Sequence, residues 1–193
     1  MHKKTTNSKH WMKKHPNLLK QLEIKRAEQV FVRDITYIKT QDRTSYLSLV
    51  TDAYSRKIMG YQVSKDLSAE SVVKALKMAV REKKKQIQVI HHSDRGLQYC
   101  SDIYQKVLRS NNMIASMTDG YDCYQNALAE RMNGILKQEF LIEKGKDQMQ
   151  LKKMVEQSVR IYNDRRPHLS LNYKTPNFIH QKSSEASLTG SYN

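Results

Sequence analysis

The sequence predicts an α/β fold in which a mixed five-stranded sheet is flanked by helices. Three runs of β-branched and aromatic residues stand close together between residues 30 and 63, separated by short polar turns, the pattern of an antiparallel meander. From about residue 68 onward, helical periodicity alternates with two further short strand-like runs. A hydrophobic content of 38% in 193 residues is enough for one core with additional arms.

The elements follow in order. Residues 1–28 are polar and basic, with Pro16 and a weak apolar patch (Leu18, Leu19, Leu22, Ile24), and read as an arm or linker. The three strand runs are Val30–Ile38, Tyr46–Val50 and Lys57–Val63. Val72, Val73, Leu76, Ala79 and Val80 then fall on one helical face, with Ser68 placed to cap its N-terminus. Gln88–His91 is a short strand, Ser101-Asp102 opens a helix with Ile103, Tyr104, Val107 and Leu108, and Met113–Met117 is a fifth strand. Thr118–Gln125 is a polar loop, a helix runs from about Asn126 to Phe140, and a last one from Asp147 to about Asn163. The order β-β-β-α-β-α-β-α-α matches a ribonuclease H-like fold. The expected division is an arm over 1–28, the core over 29–143, and a helix with a tail over 144–193.

Charge is the strongest bulk signal. Thirty-four Lys and Arg oppose nineteen Asp and Glu, a formal net charge of +15, which attracts polyanions such as nucleic acid. No apolar run approaches the roughly 20 residues of a membrane span, and no apolar segment follows the basic first residues as a secretory signal requires. Two cysteines, Cys100 and Cys123, read as reduced thiols and cannot build a structural zinc site.

Three acids stand out by placement. Asp34 lies inside a strand that is otherwise apolar, where a carboxylate is costly unless it is paired or binds a cation. Asp94 lies just past a short strand, where ligand sites of α/β sheets gather. Glu130 sits on the helix opened by Asn126. On a helical wheel, Asn126, Glu130, Asn133 and Lys137 form a polar stripe opposite Leu128, Met132, Ile135 and Leu136. Glu139 falls back among the apolar positions. Asp42, Asp52, Asp66, Asp119 and Asp122 read as solvated turn residues. The adjacent His91 and His92 point to opposite faces of their strand, and at least one of them is expected to be structural.

These residues carry a resemblance. Asp34-Ile35-Thr36-Tyr37-Ile38, His92-Ser93-Asp94-Arg95-Gly96-Leu97-Gln98-Tyr99 and Asn126-Ala127-Leu128-Ala129-Glu130 resemble the DDE transposases of bacterial insertion sequences. The similar group encodes its transposase in two overlapping reading frames and is related to retroviral integrases. The 35 residues between Asp94 and Glu130 are that group's spacing. Tyr162-Asn163-Asp164-Arg165-Arg166-Pro167-His168, with Leu171 and Thr175-Pro176, resembles its C-terminal signature. Phe31 stands where the group usually has Trp, and Gln125 where many members have Asp.

The resemblance implies a polynucleotidyl transferase that cleaves DNA 3′ ends and transfers strands. Asp34, Asp94 and Glu130 would be both the catalytic residues and the ligands of two Mg²⁺ ions, with Mn²⁺ as a substitute. Lys137, Asn126, Asn133, Arg95, Arg165 and Arg166 are the expected DNA contacts. The implied partners are element-end and target DNA, further copies of the chain, and a helix-turn-helix subunit, separate or fused; no membrane is involved. The implied location is the bacterial cytoplasm, at the nucleoid. Two other readings stand beside it: a ribonuclease H-like nuclease without strand transfer, and a decayed or domesticated relative that only binds DNA.

Overall fold

A computed structural model of the chain describes residues 11–84, 87–119 and 127–189. The elements are β1 (Val30–Lys39), β2 (Thr44–Asp52), β3 (Ile58–Ser64), α1 (Ala69–Glu82), β4 (Val89–Ser93), α2 (Leu97–Cys100), α3 (Asp102–Ser110), β5 (Met113–Met117), α4 (Ala127–Ile135), α5 (Gln148–Arg165) and α6 (Pro176–Thr189). One sheet holds all five strands in the order β3-β2-β1-β4-β5. The first three form an antiparallel meander, and β4 and β5 join parallel to β1. This is the mixed five-stranded sheet that the sequence predicts.

Alternation along the strands sends apolar side chains to both faces. On one face, Phe31, Ile35, Val50 and Met59 pack with Val72, Leu76 and Ala79 of α1 and with Tyr104 and Leu108 of α3. On the other, Ile38, Leu47, Leu49, Ile58 and Val63 meet Met132, Leu136, Leu151, Val155 and Tyr162 from the last helices. Leu19, Leu22 and Ile24 lie against Val30, Val32, Ala53 and Ala129. The segment before β1 is thus packed onto the sheet, and Pro16 carbonyl accepts from the Met117 amide at 3.2 Å, beside edge strand β5.

Local chemistry sets the boundaries. Ser68 caps α1 by accepting from the Ser71 amide, and Asp147 caps α5 by accepting from the Gln150 amide. Gly60 on β3 lets α1 approach its backbone: a Cβ there would lie 2.8 Å from the Ala79 nitrogen and closer still to the Ala75 carbonyl oxygen. Among the described residues, no helix is long and apolar enough to cross a membrane.

Three features differ from the sequence expectation. Asp52 is fully buried rather than solvated. It accepts from the Glu28 amide at 2.6 Å, the Ser55 amide at 2.7 Å, the Ser55 hydroxyl at 2.8 Å and the Tyr54 amide at 3.1 Å, and these donors replace its water. Second, the helix expected to run regularly to Phe140 changes to a π-helical turn over Leu136–Phe140, closed by Leu141 N–H to Leu136 carbonyl at 2.9 Å. The wider turn shifts the helical phase, so Glu139 leaves the apolar face and is exposed. Third, the chain after α5 forms a 3₁₀ turn (Leu169–Leu171) and then α6, with Pro176 at the first helical position.

Candidate active site

β1 and β4 pair through Val30 with Ile90, Phe31 with His91 and Val32 with His92. The same offset relates Asp34 to Asp94, so both acids belong to one face of the sheet, on neighbouring parallel strands. Burial pushes the Asp34 carboxyl up to about 6, with the negative charge of Asp94 adding to the rise and the Asn133 amide opposing it. Asp94 sits one residue past β4, where its Oδ1 accepts from the Gly96 amide at 3.0 Å and holds the turn into α2.

Helix α4 lies over Asp34. Asn133 is buried, and its amide nitrogen donates to Asp34 Oδ2 at 2.7 Å. Four residues on, the Lys137 ammonium lies 3.4 Å from the Thr36 hydroxyl and 4.7 Å from the centre of the Tyr37 ring. A helical rise of about 6 Å over four residues matches the rise of about 6.7 Å over two strand residues. The polar stripe of α4 and the π-helical turn after it therefore docks along β1 in step, Asn133 on Asp34 and Lys137 on Thr36. Glu130 lies one turn before Asn133 and is exposed.

The opposite face supplies a counter-charge. Arg33 is buried, its guanidinium 3.1 Å from the Tyr99 ring centre, and it donates to the Ser48 hydroxyl at 3.2 Å. Its charge is felt by both Asp34 and Asp94. Its position between Val32 and Asp34 in an apolar run is the signal that the sequence carries for it; Thr36, two residues beyond Asp34, carries none of its own.

The other expected residues are placed as follows. Arg95 lies 3.9 Å from Asp119, whose other oxygen is 2.9 Å from the Lys20 ammonium. Arg166 makes two 2.6 Å bonds to Glu139, and Arg165 is exposed at the end of α5. Asn126 and Cys123 lie outside the described residues. Both histidines of β4 are buried, His91 against the Tyr104 hydroxyl and His92 against the Ser116 hydroxyl, each at 2.9 Å. Asn163 clamps α5 to β3, accepting from the Ile58 amide at 2.9 Å and donating to its carbonyl at 3.0 Å.

Asp34 and Asp94 come together; Glu130 does not join them, and among the described residues no group of three or more His, Cys, Asp or Glu side chains converges as a metal cluster. The donor set still suits a hard divalent cation. Asp34 and Asp94 are oxygen ligands that repel each other in a half-buried setting, and a cation between them would remove that cost.

Residues 24–123 match the family described as integrase core domain, and residues 111–176 match a second family of the same description. The chain belongs to the integrase core domain family. This integrase core is similar to an uncharacterized 31 kDa protein of insertion element IS600 from Shigella sonnei, 40% identical over 138 residues, covering 71% of this chain and 51% of that protein. It is also similar to transposase InsF for insertion sequence IS3A from Escherichia coli strain K12, 40% identical over 111 residues, 58% of this chain and 38% of that one. The chain thus spans about half, or less, of the length of these curated relatives. The resemblance to insertion-sequence transposases drawn from the motifs is borne out.

Among solved structures, the HTLV-2 integrase catalytic core domain in complex with magnesium aligns with a TM-score of 0.64 at 19% identity, covering 80% of this chain and 97% of that one. A chain of the simian T-cell lymphotropic virus intasome, in complex with the PP2A regulatory subunit B56 gamma, aligns with a TM-score of 0.70 at 19% identity, covering 91% and 61%. At such identities the likeness establishes the fold, which is the ribonuclease H-like architecture expected from the order of elements.

Proposed function

We propose that this integrase core is the catalytic part of an insertion-sequence transposase, a DDE polynucleotidyl transferase that frees DNA 3′ ends and joins them to a target strand. The observation that carries the reading is Asp34 on the strand next to the one that ends at Asp94, tied through Asn133 to the helix that bears Glu130. In this reading Asp34, Asp94 and Glu130 would hold two Mg²⁺ ions, with Mn²⁺ as a substitute. Such ions would supply charge neutralisation to a phosphoryl transfer. Asn133 fixes the Asp34 carboxylate through its 2.7 Å bond. The Gly96 amide fixes that of Asp94, and Lys137 offers its ammonium to a phosphate near the scissile bond. Arg95, Asn126, Arg165 and Arg166 are proposed DNA contacts, in keeping with the +15 charge.

Residues 29–143 are proposed as the catalytic core, 1–28 as an arm, and 144–193 as a C-terminal segment. Joining two element ends to a target calls for more than one copy on DNA. A helix-turn-helix region on a separate or fused chain would recognise the element ends, with the whole acting at the bacterial nucleoid.

Labelled element-end DNA incubated with Mg²⁺, and scored separately for hydrolysis and strand transfer, tests the reading. Both products are expected, and Asp94→Asn is expected to lose both while DNA binding persists. Hydrolysis alone would make the chain a nuclease. Binding without either product would make it a non-catalytic relative. Retained cleavage in Asp94→Asn would remove that residue from the site.

A further inference from the structure

Beyond the carboxylates, the turn between α5 and α6 has a construction that folding alone does not require. His168 carbonyl accepts from the Leu171 amide at 3.0 Å and from the Tyr173 amide at 2.9 Å, and the His168 amide donates to Lys174 carbonyl at 3.2 Å. His168 is itself buried and set edge-on to the Tyr162 ring, 5.3 Å between centres. The base of the turn is therefore anchored in the core. Its tip is the reverse: Leu169 is 73% exposed and Tyr173 71% exposed.

Backbone strain accompanies this display. Asn172 has φ 51° and Tyr173 φ 58°. Asparagine tolerates the left-handed region, but a bulky tyrosine rarely occupies it. Two successive left-handed residues thus hold an aromatic ring and a leucine in water on a rigid support, where neither gains from burial. Such strain is characteristic of binding sites.

The surroundings say what the tip fits. From Asp164 to Glu185 the chain carries Arg165, Arg166, Lys174 and Lys182 against two acids at the ends of that stretch, and Asp164 accepts from the Asn177 amide. Arg166 is occupied by Glu139, whereas Arg165, Lys174 and Lys182 are exposed. An apolar or aromatic tip flanked by cations is the composition of side chains that wedge against base pairs while neighbours hold the phosphates.

We propose that the 168–174 turn is a DNA wedge: Tyr173, with Leu169 beside it, packs against or between bases of duplex DNA while Arg165 and Lys174 engage its backbone. The inference rests on the proposed reading of the chain as a DNA strand transferase and adds a second contact region, on a different element from the carboxylates. Cations and a stacking ring together favour DNA over another protein surface.

The test uses the full chain and a labelled duplex carrying aminopurine, whose fluorescence rises when its neighbours unstack. The native chain is expected to bind and to brighten the probe. Tyr173→Asn keeps a residue that tolerates positive φ and removes the ring. It is expected to lose the brightening and roughly tenfold in affinity with an unchanged salt slope. Tyr173→Trp is expected to restore both, and Leu169→Ser to give a smaller loss of the same kind.

Tyr173→Asn that binds and brightens like the native chain would overturn the wedge while leaving the proposed function standing. So would a Tyr173→Asn whose only change is a smaller assembly in sedimentation, since the turn would then join copies of the chain. No duplex binding by the native chain would overturn the proposed function itself, and the wedge with it.

Discussion

Asn133 donates its amide to Asp34 Oδ2 across 2.7 Å and so ties the helix that carries Glu130 to the strand that carries the first acid. This one bond converts a feature of the helical wheel into a position in space. Asp34 accepts from this neutral donor and from the Ile35 amide, while the charge of Asp94 opposes its ionisation.

Removing the Asp34 charge is expected to stabilise the fold. Its folded pKa, pushed up to about 6, lies above the ordinary 3.8, so the folded state holds the proton more tightly than the unfolded chain. The resulting cost is absent below about pH 4, grows with pH, and is complete above about 6. Asp34→Asn is expected to raise the unfolding free energy near neutral pH by on the order of 2 kcal/mol, with the difference vanishing towards pH ~4. Urea unfolding in chelator across that range measures it. Equal stability of the two proteins at neutral pH would show that Asp34 is not strained. Added Mg²⁺ is expected to stabilise the native chain more than the variant.

Lys137→Ala is expected to weaken duplex binding and to lower the slope of log affinity against log salt by about one. An unchanged slope would confine the Lys137 ammonium to its contacts with Thr36 and Tyr37. Because the side chain is only partly buried, the melting temperature is expected to change little.

Acid destabilisation is expected from two histidines. Burial, then the charge of Arg33, holds His91 down to about 3; burial, then Arg166, holds His168 down to about 4. Both stay neutral in the folded state where the unfolded chain takes up protons. Their stabilising effect is present above about pH 6.5 and is lost as pH falls towards 4. In an Asp34→Asn background, which removes the opposing carboxylate effect, stability is expected to fall by up to about 1.4 kcal/mol per pH unit for each histidine. His91→Gln should remove one share; a slope identical to that of its parent would exclude His91 as a source.

Gly60→Ala is expected to separate α1 from β3. The new Cβ meets backbone atoms of Ala75 and Ala79 rather than a flexible side chain, so relief requires the helix to move. A loss of about 3 kcal/mol or more in thermal unfolding is expected. A variant as stable as the parent would mean that α1 shifts at little cost.

The strands and the carboxylate placement were legible because they depend on local patterns. β-branched runs give the meander, a lone acid inside β1 gives Asp34, and an acid just past β4 gives Asp94. What was not legible depends on partners far away in sequence. Asp52 reads as a turn acid, and its burial rests partly on the Glu28 amide, although the serine three residues on was a usable clue. A wheel drawn for a regular helix puts Glu139 on the apolar side, whereas the π-helical turn hands it to Arg166. Helix α6 was missed because its periodicity is weak; buried His180 is what docks it, 3.0 Å from the Ser55 hydroxyl.

That docking brings the two flanks of the core together. Ala27 donates to the Ser183 hydroxyl at 2.9 Å across 156 positions of sequence, and His180 lies 3.5 Å from Glu28. Mechanically this is a clasp: it joins the chain just before β1 to the last described helix, so the N-terminal flank of the strand that carries Asp34 is held from both sides of the sequence.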